Sequence, residues 1–227
     1  MPEDEPAVRV RDVRLSYGDT VAVDGVDLTL AAGESIALMG PSGSGKSSLL
    51  HCLAGVLLPD SGEVSVLGRR LADSSEAQRS AFRLARMGMV FQFGNLIPEL
   101  TLLENVMLPV QLLGSRAREA ATRAHEVLEA LETDHVSHRR AGAVSGGQAQ
   151  RAAVARALVH RPSVVFADEP TGALDSVNAD RVLDAMLALT ADLGSVVLIV
   201  THENRVAAHC ERLLTMQDGR LAVSPVP

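Results

Sequence analysis

Eight consecutive residues, Gly40-Pro-Ser-Gly-Ser-Gly-Lys46-Ser47, have the types and the spacing of a phosphate-binding loop. They match the pattern G-x-x-x-x-G-K-[ST] without deviation. Glycines let the backbone curl so that successive N–H groups point at one anion, and the positive end of the following helix adds to that attraction. Lys46 would contact the β- and γ-phosphates, and the hydroxyl of Ser47 would hold Mg²⁺. The alternative is a Gly/Ser turn with a chance lysine.

Lys46 is the only lysine in 227 residues, and the other 20 of the 21 lysines and arginines are arginine. An ammonium is compact, whereas a guanidinium is a broad planar fork. The sequence therefore keeps lysine at the one position where the fork would not fit, which favours the phosphate-loop interpretation. We expect the chain to bind a nucleoside triphosphate.

The residues beside the loop predict the elements that hold it. Ile36–Met39 is a short apolar strand before the loop, and Ser48–Ala54 has the pattern of a helix after it. Apolar and polar residues alternate over Val8–Ser16 and over Val26–Leu30, which is typical of half-buried antiparallel strands. The sequence thus predicts a small antiparallel sheet, which is followed along the chain by a strand, a phosphate loop and a helix.

Strands and helices then alternate, which predicts a parallel α/β core. Helical periodicity dominates from Thr101 to about Val159, and a further helix is expected over Val177–Ala191. The remaining predicted strands are Glu63–Leu67, Met89–Gln92, Val164–Phe166, Val196–Val200 and Leu213–Met216. We expect one domain over 1–227, with a nucleotide-binding core of residues 1–92 and 157–227 and a helical subdomain inserted at 93–156.

Composition excludes several classes of protein. The net charge of −7 and the pI near 5.5 argue against a broad face that binds nucleic acid. The longest strongly apolar run, Val196–Val200, is too short to cross a bilayer, and the acidic N-terminus does not resemble a secretory signal. Cys52 and Cys210 lack C-x-x-C spacing, so free thiols in a reducing cytosol are the default expectation.

Two carboxylates end the apolar run Val164-Val-Phe-Ala-Asp168-Glu169. A buried strand of an open α/β sheet directs its C-terminal residues at the ligand crevice. Asp168 there can bind Mg²⁺, and Glu169 can accept a proton from the water that attacks the γ-phosphate. The alternative is a solvated acidic strand end, which is common for an isolated Asp-Glu pair.

A second anion site is indicated by Ser145-Gly-Gly-Gln148, where Ser145 is a good N-cap and the glycines expose backbone N–H groups. Read alone, this segment is an ordinary helix-capping loop. Two phosphate sites in one chain are explained by a head-to-tail dimer, in which this loop covers the nucleotide held by the other copy.

Together these motifs resemble the ATP-binding subunit of ATP-binding-cassette (ABC) transporters, over about Val8 to Val223. Ser145-Gly-Gly-Gln148, followed by Gln150-Arg151, is similar to the family signature. The resemblance implies a P-loop NTPase (RecA-like) fold, ATP and Mg²⁺ as ligands, and a homodimer that encloses two ATP molecules. The residues expected to contact ATP are Tyr17, Gly40, Pro41, Ser42, Gly43, Ser44, Gly45, Lys46, Ser47, Ser48, Gln92, Ser145, Gly146, Gly147, Gln148, Asp175 and His202.

The resemblance also implies individual roles. Glu169, His202, Gln92 and Lys46 would be catalytic, and Ser47, Gln92 and Asp168 would hold Mg²⁺. Tyr17 would stack on adenine, although it could be a simple strand-end aromatic. Ala173-Leu-Asp175 resembles the loop that crosses the dimer interface, although Asp175 could equally cap a helix. Val144 and Gly172 depart from the residues common in the family, Leu and Ser.

The subgroup is indicated by the apolar segment Phe93–Gly114 and by Ala167–Ser176, which resemble the lipoprotein-releasing, macrolide-export and antimicrobial-peptide-resistance group. In that group a membrane permease would dock near Phe93–Gly114, although many of its leucines must belong to the core. We expect an ATPase that drives export or extraction, located in the cytoplasm on the inner face of the membrane through its permease, without nucleic acid.

Other functions remain open at this point. The chain could be an ATP-gated signalling module that controls a cell-wall enzyme through a membrane partner without moving a solute. A cassette protein of translation or DNA repair is disfavoured, because such proteins usually carry two cassettes or long insertions. A P-loop kinase or GTPase would not need the loop at Ser145–Gln148.

Overall fold

A computed structural model describes residues 5–92, 94–172 and 174–222 of the chain. Phe93, Ala173 and the end of the expected family resemblance at Val223 lie outside the described residues. The described part contains two β-sheets, with helices packed on the larger one.

The first sheet is antiparallel and begins the chain, as predicted. Its four strands are, in spatial order, β2 (Thr20–Leu30), β1 (Val8–Tyr17), β4 (Ser61–Val66) and β5 (Arg69–Arg70). Val8 is aligned with Leu30 of β2 and with Val66 of β4. The valines of β1 are buried while its arginines are exposed, which explains the alternation seen in the sequence.

The second sheet has six strands, and it carries the phosphate loop. In spatial order these are β10 (Arg220–Ala222), β9 (Arg212–Gln217), β3 (Ser35–Met39), β8 (Val196–Val200), β7 (Val164–Asp168) and β6 (Met87–Val90). Neighbouring strands are parallel except β10, which pairs antiparallel with β9. Because β3, β7 and β8 are adjacent, the residues that follow them meet at one edge of the sheet.

The helices follow the predicted order with two additions. They are α1 (Lys46–Leu53), α2 (Glu76–Arg86), α3 (Leu102–Leu112), α4 (Ala117–Ala130), α5 (Gly146–Leu158), α6 (Ser176–Asp192) and the single turn α7 (Asn204–Ala207). Helices α2 and α7 were not predicted, although Ser75 and Gln78 form a capping box at the start of α2. No residue of α2 is fully buried, although its apolar and charged residues lie on opposite faces, as in an amphipathic helix.

The hydrophobic core lies on both faces of the parallel sheet. Phe166 and Leu198 belong to the cluster shared with α1 and the antiparallel sheet, whereas Val165 and Ile199 pack with α3, α4, α5 and α6. Strands β7 and β8 are therefore covered on both sides, which is why they are continuous apolar runs in the sequence. The expected mixed α/β fold of the P-loop NTPase class is confirmed, with an antiparallel sheet beside a parallel one. The boundaries proposed at 92/93 and 156/157 stay a prediction, and α5 continues to Leu158 across the second of them.

Candidate active site

The phosphate loop connects the carboxyl end of β3 to the first turn of α1, as the motif requires. Gly45 is the N-cap of α1 with φ 100°, a conformation that glycine adopts readily. A Cβ atom at Gly45 would lie 2.0 Å from the carbonyl oxygen of Ala22, and one at Gly40 would lie 2.1 Å from that of Met216. Both glycines are thus required by close backbone approach as well as by conformation, and the loop is held against β2 and β9.

Lys46 projects from the first turn of α1 back toward the loop. Its ammonium donates hydrogen bonds to the carbonyl oxygens of Gly40 and Pro41, both at 2.8 Å, and lies 3.5 Å from Oγ of Ser44. The residue is only 9% exposed. A compact ammonium fits within this arrangement, whereas a guanidinium would have to displace backbone atoms.

A cavity of about 690 Å³ opens in front of the loop, at the carboxyl edge of the parallel sheet. Eleven predicted site residues line it, namely Tyr17, Ser42, Gly43, Gly45, Lys46, Ser47, Ser48, Gln92, Asp168, Glu169 and His202. Four residues that were not predicted also line it, namely Thr20, Val21, Ala22 and Val200. Val21 of β2 is 54% exposed, close to Tyr17 at the end of β1. The short distance in the sequence between Tyr17 and Val21 is the signal that could have indicated an apolar wall of the cavity.

Glu169 and His202 form the closest charged contact in the cavity. Nδ1 of His202 lies 2.6 Å from Oε1 of Glu169, and the hydroxyl of Thr201 lies 3.5 Å from Oε2. The hydrogen bond to the Glu169 carboxylate raises the pKa of His202 above its usual value, with smaller contributions from the charges of Glu169 and Glu203. The backbone N–H of Glu169 donates to the carbonyl of Val200 at 2.9 Å, so its loop is attached to β8.

Three further oxygen donors line the cavity. The hydroxyl of Ser47 is exposed at the start of α1, and Asp168 is half-buried at the end of β7. Gln92 is exposed, two residues after β6. The predicted strand Met89–Gln92 is shifted in the structure to Met87–Val90, so Gln92 lies in a turn. A hydroxyl, a carboxylate and an amide oxygen are ligands that Mg²⁺ accepts in proteins, so this donor set fits the metal.

Tyr17 ends β1 at the mouth of the cavity. The residue is 54% exposed, and its hydroxyl lies 3.5 Å from Oγ of Ser48. An exposed ring at the mouth of a cavity leaves one face available for stacking.

The segment Ser145–Gln148 starts helix α5 and does not line the cavity. Ser145 and Gln148 form a capping box, with the Ser145 Oγ accepting from the Gln148 N–H at 3.3 Å and Gln148 Oε1 accepting from the Ser145 N–H at 3.1 Å. Asp175 also lies away from the cavity and caps α6, accepting from the N–H of Asn178 at 3.1 Å. The structure therefore brings most of the predicted residues together. Gly40, Pro41 and Ser44 belong to the loop without lining the cavity, and Ser145, Gly146, Gly147, Gln148 and Asp175 lie outside it.

Residues 23–172 match the family model described as ABC transporter, which is more than half of the chain. The chain belongs to the ABC transporter family. It is the ATP-hydrolysing subunit, and ATP is its ligand.

Relatives of this ABC protein give the same assignment. It is 46% identical over 204 residues to lipoprotein-releasing system ATP-binding protein LolD 1 of Caulobacter vibrioides, covering 89% of this chain and 87% of that one. It is 42% identical over 225 residues to LolD of Xanthomonas euvesicatoria pv. vesicatoria, covering 97% of this chain and 92% of that one.

Two solved structures share the fold of the ABC subunit. The cassette MJ0796, in a dimeric post-hydrolysis state with ADP and Pi, has a TM-score of 0.89 at 36% identity, covering 94% and 96% of the two chains. The protein cbiO1 of Clostridium perfringens, part of the transporter complex cbiONQ, has a TM-score of 0.87 at 26% identity, covering 97% and 88%. Among the described residues of the ABC subunit, no helix has the length and apolar character needed to span a membrane.

Proposed function

We propose that this ATPase powers a lipoprotein-releasing transporter as a homodimer bound to a membrane permease. The observation that carries the proposal is the single cavity in which Lys46, Gln92, Asp168, Glu169 and His202 meet. Identity of 46% to a lipoprotein-releasing ATP-binding protein supports the substrate class. The same relatives favour transport over the alternative of a signalling module.

The chemistry we propose is attack of water on the γ-phosphate of ATP. Glu169 accepts a proton from the water. The water oxygen bonds to the γ-phosphorus, and the bond between that phosphorus and the oxygen of the ADP leaving group breaks. His202 holds the Glu169 carboxylate through the 2.6 Å contact and faces the γ-phosphate. Lys46 and the loop N–H groups stabilise the charge on the phosphates, and Tyr17 stacks on adenine.

The oxygen donors of this cavity suit Mg²⁺ as a cofactor. Ser47, Asp168 and Gln92 would hold it, directly or through water. When bound, the metal would neutralise part of the negative charge on the β- and γ-phosphate oxygens.

The homodimer is supported by the separation of the Ser145–Gln148 segment from the cavity of its own chain. Ser145 and its glycines present N–H groups at the start of α5, yet they do not line the cavity of their own chain. We propose that they complete the site of the partner, together with Asp175. The dimeric state described for MJ0796 supports this arrangement.

The permease surface that we propose lies on the helical part of the chain. Three large apolar side chains there are exposed, namely Ile97 at 42%, Leu112 at 70% and Leu113 at 45%. They fall within the segment Phe93–Gly114, whose first residue is outside the described part. Docking of a permease would cover them, and it would place the subunit on the inner face of the membrane.

The central experiment compares Glu169→Gln with Glu203→Gln in purified protein. Loss of a general base costs about 10²–10⁴-fold in rate, which corresponds to about 3–5 kcal/mol. Glu169→Gln should therefore hydrolyse ATP that much more slowly, retain ATP binding and accumulate as an ATP-bound dimer in size-exclusion chromatography. Glu203→Gln removes a nearby carboxylate of the same type that does not line the cavity. Wild-type turnover by Glu169→Gln would refute the assignment.

Subunit mixing tests whether the site is shared. Ser145→Arg and Lys46→Ala should each abolish hydrolysis when studied alone. A mixture should regain one working site, which combines Lys46 of one chain with the intact Ser145 loop of the other. Absence of recovery in verified mixed dimers would refute the shared site.

A further inference from the structure

The side-chain amide of Gln150 lies inside the protein and contacts two loops of the active site. Gln150 is in the second turn of α5 and is 2% exposed. Its Nε2 donates to the carbonyl oxygen of Pro170 at 2.7 Å and to that of Phe91 at 3.3 Å. An amide nitrogen has two hydrogens, so these two bonds use both of them.

The two carbonyls belong to residues that adjoin catalytic positions. Phe91 immediately precedes Gln92, and Pro170 immediately follows Glu169. A single side chain therefore sets the distance between the backbone of the Gln92 turn and the backbone of the Glu169 turn. Both turns are attached in this way to the helix that begins with the signature loop at Ser145.

Two further donors of α5 contact the same group of loops. Arg156 donates to the carbonyls of Gly94 at 2.7 Å and Asn95 at 2.8 Å, beyond Gln92. Arg151 donates to Oδ1 of Asn178 at 2.8 Å, and the amide of Asn178 donates to Oδ2 of Asp175 at 2.6 Å. Helix α5 is thus bonded to the Gln92 turn, to the Glu169 turn and to the cap of α6.

We propose that Gln150 is a positioning residue for ATP hydrolysis, which aligns Gln92 with Glu169 according to the orientation of α5. The proposal rests on the roles of Gln92 and Glu169 proposed above. Gln150 does not line the cavity, and it acts through the two carbonyls that it binds. Rotation of α5 would move the Gln92 turn and the Glu169 turn. Closure of the signature loop on the partner subunit would therefore change the positions of Gln92 and Glu169.

The test uses Gln150→Met, which keeps the length of the side chain and removes both donors, and Gln150→Asn, which keeps the amide but is too short to reach both carbonyls. Ser195→Ala is the matched control. Ser195 is 1% exposed, and its hydroxyl donates to the carbonyl of Pro162 at 2.6 Å, so it also joins two loops, at the opposite end of β7 and β8. Each variant is assayed for melting temperature, ATP affinity, kcat and KM, with rates expressed per folded molecule.

A misplacement of about 1 Å at a catalytic group can cost about 10²-fold in rate. Both Gln150 variants should therefore lower kcat by about 10- to 100-fold while ATP affinity is preserved. Ser195→Ala should lower the melting temperature without changing kcat. A loss of kcat in the Gln150 variants no larger than in Ser195→Ala would overturn the proposal.

A double-mutant cycle with Gln92→Ala separates positioning from general destabilisation. If Gln150 acts through Gln92, Gln150→Met should reduce kcat much less in the Gln92→Ala background than in the wild type. Fully additive losses would overturn the proposal. The single variants Gln92→Ala and Glu169→Gln report on the proposed function itself. If those two lose activity while Gln150→Met retains it, only the positioning role fails.

Discussion

Replacement of Gly45 by alanine provides a quantitative test of the phosphate-loop geometry, with Gly43→Ala as its control. Both glycines have positive φ, at 100° and 79°, so an alanine at either position costs about 1–3 kcal/mol in backbone strain. Both substitutions also recover about 0.4–1 kcal/mol from the reduced freedom of the unfolded chain. Those contributions are similar in the two variants and cancel in the comparison.

The difference between the variants is the space that the new methyl group meets. At Gly43 no atom lies within 4 Å of the added Cβ, whereas at Gly45 the carbonyl oxygen of Ala22 lies 2.0 Å away. That carbonyl belongs to the backbone of β2 and would have to move by about 1 Å, and overpacking of this kind costs about 1–3 kcal/mol. Gly45→Ala should therefore be less stable than Gly43→Ala by at least that amount.

Urea denaturation of the two variants, followed by circular dichroism, measures this difference directly. The free energies of unfolding should be compared at equal m-values, because a change in m would indicate an altered reference state. Equal stability of Gly43→Ala and Gly45→Ala would refute the close contact between the loop and β2.

Three further predictions concern the chemistry of single side chains. The raised pKa of His202 means that its ion pair with Glu169 is fully formed below the ordinary histidine pKa of about 6.5 and is lost as the pH rises through the raised value. Imidazole NMR should show that pKa falling in Glu169→Gln, and an unchanged value would contradict the contact. Burial raises the pKa of both Cys52 and Cys210 to about 11, so at pH 8 Ellman's reagent should react at least about 100-fold more slowly with the native protein than with the urea-unfolded chain. Comparable rates would show that the thiols are accessible and ionised. Lys46→Arg should weaken ATP binding by about 10-fold or more in equilibrium titrations, because charged hydrogen bonds are worth about 1.5–3 kcal/mol each; undiminished affinity would contradict the steric argument for lysine.

The sequence predicted the elements whose burial is one-sided or complete. The alternating residues of Val8–Ser16 and the apolar run Val196–Val200 became strands, because periodicity reports burial directly. Helix α2 was missed although its sequence carries two helix signals, an amphipathic pattern and the capping-box residues Ser75 and Gln78. The short strand β10 was missed because three residues are too few to show a period.

The site was predictable where a motif lies within one segment, and less so where the fold brings segments together. Lys46 and Glu169 follow from local patterns, and the structure places both in one cavity. Gln150 was noted only as part of the signature region, since nothing in the sequence shows that its amide reaches carbonyls 59 and 20 residues away. Such contacts depend on tertiary packing, which the local periodicity of the sequence does not report.

The single lysine has a practical consequence for experiments on this protein. Lysine-selective isotope labelling would give one side-chain ammonium signal, from the Nζ that Gly40 and Pro41 hold. Spectra recorded during turnover would then follow the phosphate loop alone, without assignment and without any engineered probe.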